Sequence, residues 1–139
     1  MTPVLVDTGP LVAVLAKSDQ HHAKCVEILK TLQPPLVTCW PVITEAAYLL
    51  RHSPAAVKGL FRMLEKDFLV LPPFEAAAAP WIAQFFMQYQ DQEPQLADAA
   101  LVYLAERDQI DTVFTIDHRH FTVYRIAGDQ ALHLLPDHL

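Results

Sequence analysis

Residues 3–12 read PVLVDTGPLV, an aliphatic run that stops at an aspartate and is followed by a second apolar segment. Residues 4–6 are apolar without interruption, which is typical of a parallel strand covered by helices on both faces. Asp7 follows them directly. This stretch therefore predicts a buried strand that presents a carboxylate at its carboxyl end.

Asp7 also has a purely structural interpretation. A short polar residue before a helix can cap its amino terminus, and either Asp7 or Gly9 stands just before Pro10, which suits a first helical turn. The segment alone does not separate a helix cap from a functional carboxylate. Other parts of the sequence are needed to distinguish these two interpretations of Asp7.

Length and composition predict one domain over residues 1–139, because the chain has 139 residues and 53% of them are hydrophobic. The start of the chain lacks the pattern of a signal peptide, and no uncharged run is long enough to span a bilayer, so we expect a cytoplasmic protein. Cys25 and Cys39 lack CxxC spacing, and we expect two reduced, buried thiols rather than a zinc site.

Strand-like and helix-like segments alternate along the chain, which predicts an α/β sandwich rich in parallel strands. A turn at Gly128-Asp129 precedes the last strand. We expect strands over 4–6, 36–38, 68–71, 113–116 and 132–135, and helices over 11–16, 23–32, 41–52, 54–66, 75–89 with a bend or restart at Pro80, and 93–107.

A second strand ends in the same way as the first. Residues 112–121 read TVFTIDHRHF, in which an apolar strand is followed by Asp117 and a polar loop. Ligands of open α/β sheets bind beyond the carboxyl ends of the strands. We therefore expect Asp7 and Asp117 to share one site.

Two further acids lie in apolar helical surroundings. Asp98 in LADAALVYLAE is the only charged residue between Leu96 and Ala105, and Glu45 in PVITEAAYLL lies on an apolar stripe. A lone buried carboxylate is unfavourable unless it is paired, protonated or bound to a metal. The alternative for Glu45 is a favourable position near the amino end of a helix dipole.

A cluster of Asp7, Glu45, Asp98 and Asp117 requires a cation. Two carboxylates about 5 Å apart repel by about 3 kcal/mol at an effective dielectric constant of about 20. Ligands that are all oxygen favour Mg²⁺ or Mn²⁺. The net charge of −6 argues against an anionic partner, but bound cations would cancel the local charge of such a site.

The segments VDTGPLVA, ITEAAYLL, LADAALVYLAE and VFTID occur in the order and spacing of a known family. The chain resembles PIN-domain ribonucleases, and most closely the VapC-type toxins, over nearly its whole length. This resemblance implies a PIN-like three-layer α/β/α sandwich with a central, mainly parallel sheet of about five strands. It also implies cleavage of RNA phosphodiester bonds with Mg²⁺ or Mn²⁺, a homodimer and inhibition by a VapB-like antitoxin.

By the same resemblance, Asp7, Glu45, Asp98 and Asp117 correspond to the catalytic, metal-binding acids. Thr115 matches a hydroxyl position of the family, and Thr8 lies beside the first acid. The chain has Arg119 where many relatives carry a further acid. This difference bears on whether the site holds one metal ion or two.

Other functional classes fit less well. A haloacid-type phosphatase needs a second aspartate at position 9, which is glycine here, and the phosphate-binding loop GxxxxGK[ST] is absent. A receiver domain needs a lysine after a late strand, and none is found. The alternative that remains open is a catalytically silent PIN-fold module that binds RNA or a protein partner.

The remaining candidates are basic or aromatic. Lys58, Arg62 and Lys66 recur every four residues and form a basic ridge that could contact RNA phosphates, although Glu65 interrupts it and a solvated helix face is the alternative. We expect His118 and His120 to be exposed loop residues rather than metal ligands. The remaining predictions place His21-His22 at the start of the second helix and Trp81, Phe85 and Phe86 in the core.

Overall fold

The computed structural model describes residues 3–138. Within this range, seven strands alternate with seven helices. They are β1 Leu5–Val6, α1 Thr8–Leu15, α2 His22–Thr31, β2 Leu36–Val37, α3 Trp40–Leu49, α4 Pro54–Glu65, β3 Leu69–Val70, α5 Ala79–Gln88, α6 Leu96–Arg107, β4 Thr112–Phe114, α7 His118–Phe121, β5 Arg125–Ile126, β6 Gln130–Ala131 and β7 His133–Leu135.

Five of the strands form a parallel sheet in the order β3-β2-β1-β4-β7. The middle strand is β1, where Leu5 pairs with Val37 on one side and with Val113 on the other. Both residues of β1 are completely buried, because helices cover the two faces of the sheet. The three-layer α/β/α sandwich predicted from the sequence is thus confirmed, including the number of strands in the main sheet.

Several helices begin where the local sequence favours a first turn. Pro10 lies in the first turn of α1, which starts at Thr8 and so three residues earlier than expected. Helix α4 starts at Pro54, and the hydroxyl of Ser53 accepts a hydrogen bond from the backbone N–H of Ala56 at 3.3 Å. The predicted restart near Pro80 is confirmed, because a short 3₁₀ turn precedes α5 and Pro80 lies in the first turn of α5.

The segment after Asp117 differs from the prediction. It forms the short helix α7 instead of a polar loop, and His118 and His120 are partly buried, so the expectation of exposed loop histidines is wrong. The physical reason is a cap: the Asp117 carboxylate accepts a hydrogen bond from the backbone N–H of His120. The antiparallel hairpin of β5 and β6, with Gly128 and Asp129 at its turn, was also not predicted as strands.

Apolar side chains fill the space between the sheet and the helices. Phe85 is buried, and the ring of Trp81 stacks on it with 5.6 Å between ring centroids, which agrees with the predicted core. Cys25 and Cys39 are buried and free, as expected for small hydrophobic residues. In the part of the chain that the structure describes, no helix is long and apolar enough to cross a membrane.

Candidate active site

The order in which the chain adds strands to the sheet reverses between β1 and β4. From β1 the chain proceeds to β2 and β3 on one side, whereas β4 and β7 lie on the other side. Such a switch point opens a crevice at the carboxyl ends of the two central strands. Asp7 directly follows β1, and Asp117 lies three residues beyond β4, so both acids reach this crevice.

A pocket of about 240 Å³ occupies the crevice. All four predicted acids line it, two from the strand ends and two from helices: Glu45 belongs to α3 and Asp98 to the first turn of α6. The other residues that line it are Thr8, Gly9, Leu49, Glu93, Gln95, Ile116 and His120.

Each of the four carboxylates has its own side-chain hydrogen-bond partner. Three partners are hydroxyl groups and one is an imidazole, so the acids are oriented individually. Thr115 donates to Asp7 at 2.8 Å, Thr8 to Glu45 at 2.7 Å, Tyr124 to Asp98 at 2.7 Å, and His120 Nδ1 to Asp117 at 2.9 Å.

Asp7 is a buried acid and not a working helix cap. It occupies the position before α1, but its side chain makes no capping hydrogen bond there and instead accepts the hydroxyl of Thr115. Burial, together with the nearby charges of Asp98 and Glu45, raises its pKa from 3.8 to about 7, while hydrogen bonds to the carboxylate oppose that rise. Without a cation, an ionised Asp7 therefore costs the folded protein free energy.

Thr115 joins the two strand-end acids. Its buried hydroxyl donates to Asp7 and accepts a hydrogen bond from the backbone N–H of Asp117 at 2.9 Å. The first turn of α1 approaches the segment after β4 closely at Gly9: a Cβ at that position would lie 2.5 Å from Cγ1 of Ile116. Any side chain at position 9 would therefore require the side chain of Ile116 to move.

Asp98 is partly buried at the start of α6. Burial raises its pKa, the hydrogen bond from Tyr124 opposes this rise, and the charge of Asp117 adds to it. The charge of Glu45 raises the pKa of both Asp7 and Asp98, which places these three acids close together in one pocket.

Both ring nitrogens of His120 lie near hydrogen-bond acceptors. Its Nδ1 lies 2.9 and 3.0 Å from the two oxygens of Asp117, and its Nε2 lies 3.1 Å from the backbone carbonyl of Gln92. Carboxylates and carbonyls accept hydrogen bonds, so this geometry favours an imidazole that is protonated on both nitrogens. The hydrogen bond with Asp117 accordingly raises the pKa of His120.

The donor set of the pocket suits a hard divalent cation. It consists of carboxylate oxygens, and a bound cation would offset the cost of burying Asp7. Among residues 3–138, no three acidic, histidine or cysteine side chains are already arranged as a metal shell. Mg²⁺ does not require one, since it commonly binds through one or two carboxylates and keeps several waters.

The basic ridge lies outside this pocket. Lys58, Arg62 and Lys66 are exposed on or just after α4, and the last two border an apolar groove that includes Leu29 and Met63. Lys66 lies shortly before the amino end of β3, so it is at the opposite edge of the sheet from the acids. A role of the ridge in RNA binding stays a prediction.

The sequence patterns do not predict the positions of three residues at or beside the pocket. His120 is expected to be an exposed loop residue, although its spacing of three from Asp117 is that of a helical neighbour. Tyr124 lies 26 residues from Asp98, and no local pattern connects them. Glu93 is expected to start a helix, but it has a φ of 51° and places its side chain at the pocket before α6 begins.

The pKa of Asp7 predicts how pH affects the metal-free protein. Between pH 4 and pH 7 the folded state retains a proton that the unfolded state releases, so stability should fall as pH rises, by about 4 kcal/mol in total. Asp7→Asn should remove this loss. In EDTA, the variant should melt above the wild type at pH 8 and close to it at pH 4, as measured by thermal melts across that range.

Asp129→Asn is the matched control, because residue 129 is exposed in a turn with positive φ that asparagine tolerates. Its melting curve should follow the wild type at every pH. Added Mg²⁺ should stabilise the wild type and this control by mass action, and Asp7→Asn much less. An Asp7→Asn protein that melts with the wild type at pH 8 and responds fully to Mg²⁺ would identify Asp7 as a structural residue.

Comparison with known proteins is consistent with this geometry. The crystal structure of Mycobacterium tuberculosis VapC20, described as a toxin that cleaves the sarcin-ricin loop, superposes with a TM-score of 0.75, covering 83% of this chain and 90% of that one at 15% identity. At this identity the similarity concerns the fold.

Sequence similarity gives more direct evidence of the family than similarity of fold does. Ribonuclease VapC26 of Mycobacterium tuberculosis is 31% identical over 135 residues, which cover 96% of this chain and the whole of that protein. The profile of the PIN domain family matches residues 4–127, a span that includes all four acids and Tyr124. The chain therefore belongs to the PIN domain family.

Proposed function

We propose that residues 1–139 form a single PIN-like nuclease domain that hydrolyses RNA phosphodiester bonds with Mg²⁺ or Mn²⁺, as the toxin of a toxin-antitoxin pair. One observation carries the proposal: four carboxylates, each with its own hydrogen-bond partner, line one pocket at the switch point of the sheet. The full-length similarity to a protein named as a ribonuclease supports RNA as the substrate.

The four acids would hold the metal through carboxylate oxygens. A divalent ion at this position supplies water activation and screens the charge that develops on the phosphate. Thr115 orients Asp7, and Thr8 orients Glu45, each through a hydroxyl that donates a hydrogen bond to one carboxylate oxygen. No nucleophile from the protein is required for this chemistry.

The electrostatics of the pocket explain why a metal would be necessary. The chain has a net charge of −6, and five acids, the four predicted ones and Glu93, line the pocket where the phosphate would approach. A phosphodiester would be repelled from such a site unless cations offset it. His120 supplies one positive charge beside Asp117, and the metal would supply the rest.

The purified protein should cleave RNA in Mg²⁺ or Mn²⁺ and should lose cleavage in EDTA. Asp7→Asn and Asp98→Asn should each lower the rate by on the order of a hundredfold or more, because loss of a metal ligand removes several kcal/mol of transition-state stabilisation. Gel assays of labelled RNA across a metal titration measure both effects.

Asp129→Asn serves again as the control and should cleave like the wild type, since residue 129 does not line the pocket. Full cleavage in EDTA would refute the metal chemistry, and full cleavage by both pocket variants would refute the assignment of these acids. A wild-type protein that binds RNA but never cleaves it would instead support the silent binding module.

The basic ridge is proposed to contact RNA phosphates away from the pocket. Lys58→Glu combined with Arg62→Glu should weaken RNA binding and reduce the slope of log affinity against log salt by about 0.7 for each phosphate that the protein no longer binds. Metal affinity should not change, because neither residue lines the acidic pocket. Fluorescence anisotropy at several salt concentrations gives the slope.

Lys17→Glu combined with Lys24→Glu is the matched control, because both lysines are exposed and the change in net charge is the same. An equal loss of affinity in the two double variants would show a general effect of net charge. An unchanged slope in the α4 variant would identify the ridge as a solvated face.

A second copy of the chain is the proposed occupant of an apolar groove beside the acids. The groove has a volume of about 650 Å³, and Glu45 and Gln95 line both it and the acidic pocket. Trp40 and Tyr48 border it and are 56% and 61% exposed. Exposed aromatic groups around one groove are typical of protein interfaces.

Trp40→Ser combined with Tyr48→Ser should therefore convert a dimer into a monomer, as measured by sedimentation velocity. Met87→Ser is the control, because Met87 is equally exposed, at 61%, but lies on α5 outside the groove. A double variant that sediments as the wild-type dimer would assign the dimer contact to another surface.

A VapB-like antitoxin is the proposed inhibitor of cleavage, and the cytoplasm is the proposed location of both proteins. The proposal rests on the similarity to VapC proteins and on the open acidic pocket, which a bound segment could cover. A small DNA-binding protein encoded in an adjacent reading frame should block RNA cleavage when it is added at equal concentration. Cleavage that persists in its presence would refute the pairing.

A further inference from the structure

Tyr124 combines complete burial with a polar contact to an acid of the pocket. Its side chain is fully buried, and its hydroxyl donates a hydrogen bond of 2.7 Å to Oδ2 of Asp98. A carboxylate accepts only, so the direction of this bond is unambiguous when Asp98 is ionised. The contact links the segment after α7 to the first turn of α6.

The ring of Tyr124 is held firmly. Its centroid lies 5.0 Å from those of Phe85 and Tyr89 and 5.2 Å from that of Phe121, all in tilted or edge-on arrangements. These neighbours come from α5, from the end of that helix and from α7. The hydroxyl therefore has little freedom to move, and it fixes the position of the oxygen that it contacts.

Packing alone does not require this hydroxyl. Phe85 and Phe121 show that the cluster accommodates unsubstituted rings, and a buried hydroxyl is unfavourable unless it has a partner. Asp98 is that partner, and it is one of the four proposed metal ligands. The hydrogen bond engages Oδ2 of Asp98, and the same side chain lines the acidic pocket.

We propose that Tyr124 is a positioning residue that orients the Asp98 carboxylate for metal binding. This inference rests on the proposed function, because it assigns to Tyr124 a role at the same site. Tyr124 acts through Asp98 and does not line the pocket itself. Partners of metal ligands commonly contribute 10- to 100-fold to metal affinity, which sets the expected size of the effect.

Tyr89 provides a matched control within the same aromatic cluster. It is buried, it packs on the same rings, and its hydroxyl accepts a hydrogen bond from the backbone N–H of Arg125 at 3.0 Å instead of contacting an acid. Tyr89→Phe and Tyr124→Phe therefore each remove one buried hydroxyl and leave the ring in place. They differ in whether the deleted hydroxyl touches a proposed metal ligand.

The test is a calorimetric titration of the metal-free, full-length proteins with Mn²⁺, together with thermal melts in EDTA. Tyr124→Phe should bind Mn²⁺ about 10- to 100-fold more weakly than the wild type, and Tyr89→Phe should stay within about twofold. In RNA cleavage, Tyr124→Phe should need a correspondingly higher Mn²⁺ concentration for half-maximal rate. Its rate at saturating Mn²⁺ should approach that of the wild type.

A double variant tests whether Tyr124 acts through Asp98. Adding Tyr124→Phe to Asp98→Asn should change Mn²⁺ affinity by no more than about twofold, since the charged group that the hydroxyl orients is already gone. A further tenfold loss in the double variant would overturn the proposal. Wild-type Mn²⁺ affinity in Tyr124→Phe, or a Tyr124→Phe protein that does not fold, would also overturn it.

The same titration separates this inference from the function on which it rests. A wild-type protein that binds no Mn²⁺ overturns the proposed metal chemistry and the role of Tyr124 together. A wild-type protein that binds Mn²⁺ and cleaves RNA, alongside a Tyr124→Phe variant with equal affinity, overturns the role of Tyr124 alone.

Discussion

One buried hydrogen bond, from the Thr115 hydroxyl to the Asp7 carboxylate, joins the ends of the two central strands at the acidic pocket. Asp7 leaves β1 at the point where β1 and β4 lie side by side, and its backbone N–H donates to the carbonyl of Phe114 at 2.9 Å. Its side chain accepts the hydroxyl of Thr115, which follows β4. The backbone and the side chain of Asp7 therefore extend the pairing of β1 with β4, through a residue whose carboxylate is costly to ionise.

This cost is consistent with a functional site. Sites that must bind a cation concentrate charges that repel one another until the cation is present, and the free protein is less stable as a result. Each acid of the pocket is oriented separately. Three hydroxyl groups and the imidazole of His120 each contact a different carboxylate. Thr115 serves two of the acids, and Gly9 provides the space that lets their loops approach.

The sequence predicts most of the fold because its signals are local. Apolar runs such as residues 4–6 mark the strands, and Ser53-Pro54 marks the start of α4. The segment after Asp117 was predicted wrongly because Asp117, which follows β4, also caps α7. The sequence pattern shows that an acid follows the strand, but it does not show that the same acid caps the next helix. The hairpin of β5 and β6 was missed because its strands, Arg125–Ile126 and Gln130–Ala131, form no apolar run of the kind that marks the buried strands.

The sequence by itself determined that acids follow two apolar strands and lie in apolar helical surroundings, since strand ends and helix faces depend on neighbouring residues. Only the tertiary structure decided which side chain orients each acid. Thr115 and Asp7 are 108 residues apart, Thr8 and Glu45 are 37 apart, and Tyr124 and Asp98 are 26 apart. Hydrogen bonds over such separations form only when the sheet order and the helix packing bring the residues within about 3 Å of one another, and no local pattern encodes that packing.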